Sequence, residues 1–354
     1  MKRKIWSVVL VVFVIAVLTL TGCSGARSGG SSTGAKDSAA GGSVSGGTQG
    51  KAPEKVIKVG ISYLVSHPAL DLTRKGAKDA LTDAGFVEGK NIIYDEQNAQ
   101  GDPNMAITIG QKLAASDVDA ILTITTPSGQ AGVKATREKP KPLIFVGVSD
   151  PIGASMLKEF GKPTGLNYSG VYNFDPVDAQ MGLIAEFLPQ GKKVGVIYNA
   201  GESNSVSNIK RFKEAAQKRN WQVVEATVTS SNEVQTASRT FVGKVDAVYM
   251  PQDNTVVSAL EALIKTCRDN KIPLFVGDTE SVKRGAIATV GNDQYDTGRQ
   301  AGEMMARVLK GEKPGDIKPE VVRKRVMIVN AKAAEIMGVK VPQAVLDKAQ
   351  EVIK

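Results

Sequence analysis

The feature that most constrains the fold is an alternation of short apolar runs with helix-like segments, which begins at residue 56 and occurs in two blocks. In the first block, residues 56–64 are apolar like a buried strand, and residues 68–84 have the apolar spacing of a helix, with Gly85 after it. The second block opens in the same way, with strand-like 193–198 and helix-like 204–219. Such alternation indicates parallel sheets covered by helices and joined by right-handed crossovers.

The length of the chain indicates two lobes. A single hydrophobic core rarely grows beyond ~250–300 residues, and this chain has 354. The expected fold class is therefore α/β, with two doubly wound parallel-sheet lobes joined by a hinge. We expect lobe 1 to comprise residues 56–168 plus 288–312 and lobe 2 to comprise residues 169–287 plus 313–354, with crossings near 165–173 and 286–291.

The N-terminal segment is typical of an export signal. Three basic residues precede an uncharged core, residues 5–20, which is shorter than the ~20 apolar residues of a bilayer span. The core ends in Leu20-Thr21-Gly22-Cys23, which resembles the lipobox of bacterial lipoproteins. That resemblance implies that residues 1–22 are removed as a signal peptide and that Cys23 receives lipid, an uncleaved anchor helix being the alternative. Residues 23–55, rich in Gly and Ser, are expected to form a disordered tether outside the cytoplasm.

The composition excludes several classes of function. The formal net charge is +9, which suits a position near anionic lipid headgroups, but no Lys/Arg run is interleaved with aromatic residues, so we expect no nucleic-acid partner. If Cys23 is lipidated, Cys267 has no disulfide partner, and we expect it to be buried in a helix. The single histidine, His67, cannot form a metal cluster alone. We find no nucleotide-binding glycine motif and no nucleophile elbow, so neither a cofactor nor an enzymatic activity is expected.

The loops that follow the strands are rich in small polar residues, and ligands of open parallel sheets bind at this edge. The clearest loop is Thr126-Pro127-Ser128-Gly129, in which Thr caps a helix that Pro begins. The free N–H groups of Ser128 and Gly129, with the Thr126 and Ser128 hydroxyls, are suited to a carboxylate. Plain helix capping explains the same residues equally well.

An acidic residue in the second block is a candidate for binding a cation. Asp278 follows a buried-type strand, and a carboxylate there needs a cation or several N–H donors. A ligand ammonium is one possibility, and Lys283 or Arg284 is another. Asn204 and Asp253 also begin helices, so capping explains them as well.

Several loop sequences, taken in order, carry a family resemblance. They are residues 59–61, 67–71, 85–91, 126–131, 149–151, 199–205, 253–256 and 277–282, which extend over nearly all of 56–329. In these stretches the chain resembles the extracytoplasmic substrate-binding proteins of ABC transporters, in the subgroup linked to tryptophan and tyrosine uptake. Tyr63 stands where the family often has Gln, which leaves the side-chain pocket open.

The resemblance implies a type I periplasmic-binding-protein fold that closes on a small amino acid, expected to be aromatic (Trp, Tyr or Phe), and delivers it to a permease. Through the permease, an ATPase subunit is an expected partner as well. Matched residue by residue, Thr126 and Ser128 bind the carboxylate, and Asp278 binds the ammonium, with Asp253 or Glu202 as alternates. Asn204 and Asn254 add hydrogen bonds from lobe 2. The full set of expected ligand-binding residues is Tyr63, His67, Thr126, Ser128, Ser149, Glu202, Asn204, Asp253, Asn254 and Asp278.

Two other functions fit the same residues. The fold serves equally well for a lipid-anchored surface sensor or adhesin that binds ligand without a transporter. It also serves for binding a branched-chain amino acid or another small solute. A sugar is disfavoured because sugar sites stack rings on aromatic residues, and the tryptophan beyond the signal segment, Trp221, begins a strand of the second block.

Overall fold

Residues 55–354 are the part of the chain that this computed structural model describes. The predicted signal peptide, Cys23 and all but the last residue of the predicted tether lie outside the described residues. Within the described part, the β/α alternation expected from the sequence is present, and its strands form two separate sheets.

The strands are short, and three of them, β3, β8 and β9, are buried along their whole length. In chain order they are β1 (Ile57–Tyr63), β2 (Ile92–Asn98), β3 (Ala120–Ile124), β4 (Leu143–Val148), β5 (Tyr168–Tyr172), β6 (Lys193–Asn199), β7 (Gln222–Val228), β8 (Ala247–Met250), β9 (Leu274–Val276), β10 (Ala288–Asn292), β11 (Glu320–Val321), β12 (Arg325–Asn330) and β13 (Glu351–Ile353).

Most helices follow a strand, and several of them begin at a capping residue or a proline. For example, the Asp102 side chain accepts a hydrogen bond of 2.8 Å from the amide of Asn104, just before a helix that starts at Pro103. The helices are α1 (Pro68–Asp83), α2 (Pro103–Ala115), α3 (Thr126–Glu138), α4 (Val177–Phe187), α5 (Ser203–Gln217), α6 (Val234–Arg239), α7 (Asn254–Ser258), α8 (Leu260–Asp269), α9 (Thr279–Lys283), α10 (Gln294–Leu309), α11 (Ala331–Ile336) and α12 (Gln343–Leu346).

Each sheet forms the centre of one lobe. The sheet of lobe 1 has the strand order β11-β5-β4-β3-β1-β2 and is parallel throughout. The sheet of lobe 2 has the order β13-β12-β10-β9-β8-β6-β7 and is parallel except for the antiparallel pair β10 and β12. The expected fold class, two α/β lobes with parallel sheets, is thus confirmed.

The chain passes between the lobes three times, at residues 173–176, at Asp293 and at residues 322–324. These positions correct the expected boundaries. Residues 169–172 belong to lobe 1 because β5 pairs with β4, and residues 288–292 belong to lobe 2 because β10 pairs with β9 and β12. The strand-like stretch 320–330 divides into β11 in lobe 1 and β12 in lobe 2. Residue pattern predicts a strand, but it does not say which sheet the strand joins.

Helices α1 and α10 pack closely in lobe 1 because small residues line their contact. A Cβ atom on Gly298 would lie 1.9 Å from the carbonyl oxygen of Thr73, and one on Gly76 would lie 2.1 Å from the carbonyl oxygen of Tyr295. No side chain fits at either distance. This contact holds α10, which follows the second crossing, against α1, which begins at the edge of the cleft.

Candidate functional site

A cleft lies between the carboxyl ends of the two sheets, where the sequence places the polar loops. It has an empty volume of about 490 Å³, including its solvent-open mouth. Seven of the ten expected ligand-binding residues line it: His67, Thr126 and Ser149 from lobe 1, and Asn204, Asp253, Asn254 and Asp278 from lobe 2. Residues from both lobes therefore face one shared crevice.

Three expected residues do not line this cleft. Tyr63 is half-buried at the end of β1, and the guanidinium of Arg74 lies 4.6 Å from its ring centre. Ser128 is buried inside the first turn of α3. Glu202 is 2 % exposed and lies behind the cleft wall. Position after a strand predicts these residues near the cleft, but side-chain direction decides whether they face it.

The N-terminus of α3 points its unpaired groups toward the cleft. The helix begins at Thr126, one residue before Pro127, where the sequence predicts its start, and Thr125 occupies the capping position with φ 87° and ψ 161°. A β-branched residue rarely adopts this backbone conformation, which costs roughly 1–3 kcal/mol. The amide of Gly129 is not free, because it donates to the carbonyl of Thr125 at 2.9 Å. The first-turn amides of Thr126 and Ser128 are the ones that α3 itself leaves without a partner.

Buried polar atoms without a partner gather at the same place. The hydroxyl oxygens of Thr125, Thr126 and Ser128 have no hydrogen-bond partner in the structure, and neither do the amide oxygens of Asn173 and Asn204. Each unpaired buried polar group costs about 1–3 kcal/mol. The hydroxyls can donate to an anion, whereas the amide oxygens can only accept. The cleft region thus offers groups for both ends of a zwitterion.

The three buried carboxylates of lobe 2 differ in how many donors already occupy them. Glu202 accepts from the amides of Asn254 and Thr255, from the Thr255 hydroxyl and from two side-chain amides, so it caps α7 and is saturated. Asp253 accepts from the amides of Asn199 and Val256 and from the Ser205 hydroxyl. A carboxylate has about four lone-pair sites, so neither group is well placed to take a ligand ammonium. The expectation of Glu202 as an alternate ammonium site is replaced by this capping role.

Asp278 is the least occupied of the three. Both of its oxygens accept from Ser281, one from the amide at 2.8 Å and the other from the hydroxyl at 2.6 Å. Of the two cations that the sequence suggested as partners, Arg284 is bonded to Glu261 at 3.0 and 2.9 Å, and Lys283 pairs with Glu280 at 2.9 Å. Burial raises the pKa of Asp278, against the lowering effect of its bonds to Ser281. An ammonium brought by a ligand would stabilise its ionised form.

Burial also perturbs Asp253 and His67. Burial, with the nearby charge of Glu202, raises the pKa of Asp253 to about 7. Burial, with repulsion from Arg284, lowers the pKa of His67 to about 4, so its imidazole is neutral at pH 7. The Nδ1 atom of His67 is buried without a partner. It is therefore free to bond a polar group of a ligand.

Some residues of the cleft were not expected. Asn173 and Gln252 line it, and the Asn173 side-chain amide donates to Gln252 Oε1 at 3.0 Å. Gln252 lies in a polar loop that the sequence points to, whereas Asn173 lies in a crossing, where no such signal exists. The hydroxyl of Ser149 donates to Asp175 at 2.9 Å, so this lining residue is already engaged.

Two further hydrogen bonds join the lobes near the cleft. The Ser207 hydroxyl of lobe 2 donates to Asp150 of lobe 1 at 2.7 Å. The Ser203 hydroxyl of lobe 2 donates to Gln130 of lobe 1 at 3.4 Å. These bonds cross from one lobe to the other, which is the arrangement of a closed cleft.

The structure bears on three other sequence-based expectations. Cys267 is 1 % exposed in α8, and burial raises the pKa of its thiol to about 12, so it is a buried apolar residue. Among residues 55–354, no group of three His, Cys, Asp or Glu side chains is arranged to hold a metal ion. Over the same range, none of the helices has the length and apolar character needed to span a bilayer.

Comparison with known proteins decides the family. Residues 58–353 match the family model described as ABC transporter substrate binding protein. This chain belongs to that family. It is 36% identical over 329 residues to the tyrosine-binding protein of Clostridioides difficile, covering 93% of this chain and 90% of the relative. Family members are non-enzymatic binding proteins that work outside the cytoplasm with a transporter, so the expectations of an ABC importer component and of no enzymatic activity are confirmed.

Solved structures of related proteins agree with this assignment. An ABC domain from Streptococcus pneumoniae in complex with L-Trp is 34% identical, with a TM-score of 0.80. The ligand-free, open structure of a substrate-binding protein with adhesive properties from Clostridium difficile is 38% identical, with a TM-score of 0.63. Both alignments cover 84% of this chain and 100% of the other. At equal coverage, this structure superposes better on the tryptophan complex than on the ligand-free, open protein.

Proposed function

We propose that this substrate-binding protein captures an aromatic L-amino acid, tyrosine or tryptophan, in the interlobe cleft and presents it to its permease. The observation that carries the proposal is the set of unpaired buried groups in the cleft region, donors from α3 and acceptors from lobe 2. Two related proteins support the ligand class, since one is named for tyrosine binding and the other holds L-Trp.

The ligand carboxylate is assigned to the N-terminus of α3. The hydroxyl of Thr126 and the first-turn amides lie where the helix dipole is positive. Ser128 contributes its hydroxyl from below the cleft surface. A carboxylate at this position would satisfy groups that are otherwise buried without partners, which offsets the loss of hydration of the ligand.

The ligand ammonium is assigned to Asp278, with the Asn204 side-chain oxygen as a second acceptor. Asp278 has unused lone pairs and no bonded cation among the described residues. The Asn204 side-chain nitrogen is held by Glu202 and the Gln252 carbonyl, which turns its oxygen into an unpaired acceptor. Asp253 and Asn254 form the wall behind these groups.

The side chain of the ligand is assigned to the apolar part of the cleft, which Leu70, Ile124 and Val257 provide. His67 lies at the edge of this region with its free Nδ1 atom. A phenol O–H or an indole N–H can bond a neutral ring nitrogen, which phenylalanine cannot do. Tyrosine or tryptophan is therefore expected to bind more tightly than phenylalanine.

A thermal-shift screen of the twenty L-amino acids and common sugars, followed by calorimetry, tests the ligand class. We expect the largest stabilisation from tyrosine or tryptophan, a smaller one from phenylalanine and none from sugars. Stabilisation by leucine, isoleucine or valine alone, or by a sugar alone, would contradict the proposal.

The mode of attachment is a separate proposal. We infer that cleavage before Cys23 and lipidation of this residue hold the protein at the membrane through the Gly/Ser-rich segment that follows. Expression of the full chain in a bacterial host with a labelled fatty acid should label the wild type but not Cys23→Ser. Labelling of Cys23→Ser, or the absence of label in the wild type, would contradict lipidation at Cys23.

Adhesion to a host surface is a second candidate function, favoured by the adhesive properties of the Clostridium difficile relative. Beads coated with the protein, added to cultured epithelial cells, would test it. Cell binding that continues when the cleft is saturated with amino acid would support a separate adhesive role, and the absence of cell binding would exclude it.

A further inference from the structure

One buried carboxylate outside the ligand cleft is bonded by both lobes. Asp175 lies in the first crossing, between β5 and α4, and is 2 % exposed. Its Oδ2 atom accepts from the Ser149 hydroxyl of lobe 1 at 2.9 Å and from the Asn208 side-chain amide of lobe 2 at 2.7 Å. Its Oδ1 atom accepts from the Asn292 side-chain amide at 3.2 Å, where the second crossing begins. A single side chain thus connects both lobes and two of the three crossings.

The nearby cations bind the backbone of this crossing and not the carboxylate. The guanidinium of Arg211 donates to the carbonyl of Asp175 at 2.8 Å, and that of Arg325 donates to the carbonyl of Phe174 at 3.1 Å. Burial raises the pKa of Asp175, while the bonds from Asn208 and Ser149 lower it. The three side-chain groups that donate to the carboxyl are neutral, and a buried polar group of this kind is tolerated only while its donors stay in place.

The geometry also explains why these bonds depend on the lobe arrangement. Ser149 and Asn208 belong to different lobes, yet they donate to the same oxygen atom. Rotation of the lobes about the crossings moves the two donors apart, and one atom cannot follow both. Opening the cleft therefore has to break at least one of the two bonds.

We propose that Asp175 is a positioning residue for lobe closure, which stabilises the closed cleft without touching the ligand. It does not line the ligand cleft, and its effect reaches the ligand only through the population of the closed state. The affinity part of this inference rests on the proposed function, because it uses an aromatic amino acid as the ligand. The conformational part does not depend on the ligand.

The test compares Asp175→Asn with Asp178→Asn. At residue 175, Asn preserves the size of the side chain but turns an amide N–H₂ toward neighbouring donors. Asp178, three residues after Asp175, is the control because it is exposed and pairs with Arg219. Spin labels on Cys introduced at Lys134 in α3 and Lys210 in α5, both exposed, report the distance between the lobes. Cys23 is replaced by Ser, and the buried Cys267 does not react.

For Asp175→Asn without ligand, we expect the label-to-label distances to shift toward longer values, with the wild-type distribution in Asp178→Asn. Calorimetry with L-tyrosine and L-tryptophan should show about tenfold weaker binding in Asp175→Asn alone. A distance distribution and affinity equal to those of the wild type would overturn the proposal, as would an equal shift in Asp178→Asn.

One further variant, and the combination of distance and binding results, separate the role of Asp175 from the identity of the ligand. If Asp175→Asn does not fold, Ser149→Ala can be used instead, because it removes the hydrogen bond from lobe 1 to Asp175 without adding a donor. This variant should also lengthen the label-to-label distances. A distance shift in a protein that binds no amino acid would uphold the role of Asp175 and refute the proposed ligand. An Asp175→Asn protein that binds tyrosine and has the wild-type label-to-label distances would uphold the proposed ligand and refute the role of Asp175.

Discussion

Replacing Asp278 with Asn tests the assignment of the ligand ammonium. Asp278 precedes α9 and caps it through Ser281, and Asn caps helices about as well as Asp. The substitution removes one charge and keeps the shape of the side chain, so the fold is expected to be retained. The main expected effect is a lower affinity for the ammonium group of the ligand.

The structure sets the expected magnitude. Ser281 uses two of the roughly four lone-pair sites of the carboxylate, and Asp278 is 3 % exposed, so the remaining sites are shielded from water. A hydrogen bond to a charged group contributes about 1.5–3 kcal/mol. The affinity for tyrosine or tryptophan should therefore fall by about 10- to 150-fold.

The matched control is Asp253→Asn, measured by calorimetry beside Asp278→Asn. Asp253 is also a buried carboxylate that lines the cleft and caps a helix, but three donors of lobe 2 already occupy it. We expect its substitution to change the affinity less than threefold. Equal losses in both variants, or a loss only in Asp253→Asn, would refute the reasoning from unused lone pairs.

Three other predictions follow from particular contacts. Thr126→Val removes a buried hydroxyl that has no partner, so it should weaken amino-acid binding severalfold without lowering the melting temperature of the ligand-free protein. A lower melting temperature would indicate that the Thr126 hydroxyl has a structural role. The pKa of Asp253 is raised to about 7 in the folded protein, so the free energy of unfolding of the wild type, relative to that of Asp253→Asn, should fall as the pH rises from about 4 to about 7. Urea unfolding measures this difference, and a difference that stays constant or rises with pH would contradict the prediction. Gly298→Ala should lower the free energy of unfolding by about 1–3 kcal/mol or more, because its Cβ would lie 1.9 Å from the Thr73 carbonyl oxygen, and wild-type stability would show that α1 and α10 are not packed this closely.

The sequence predicts the lobes well because parallel strands buried on both faces have a strong apolar signal. It predicts less well where an element is divided. Residues 254–270 have one helical pattern, but the helix breaks at Ala259 into α7 and α8. The strand-like stretch 320–330 divides between the two sheets, because the sheet that a strand joins depends on contacts with residues distant in sequence.

The candidate site was predictable to the level of loops but not of side-chain partners. Asp253 and Glu202 both follow strands and are acidic, which makes them resemble Asp278 in sequence. Only the donors from α7, from α5 and from the end of β6 show that they are occupied. Asp175 was missed because it lies in a crossing, and its importance depends on partners that are far away in sequence, such as Ser149 and Asn292.

The most direct test of the account is calorimetry of the wild-type protein with L-tyrosine and L-tryptophan beside their amides and their N-acetyl derivatives. The amide lacks the negative charge, and the N-acetyl derivative lacks the positive charge, while both keep the aromatic side chain. If the cleft holds a zwitterion between α3 and Asp278, each blocked compound should bind at least about tenfold more weakly than the free amino acid. Blocked compounds that bind as tightly as the free amino acids would contradict it.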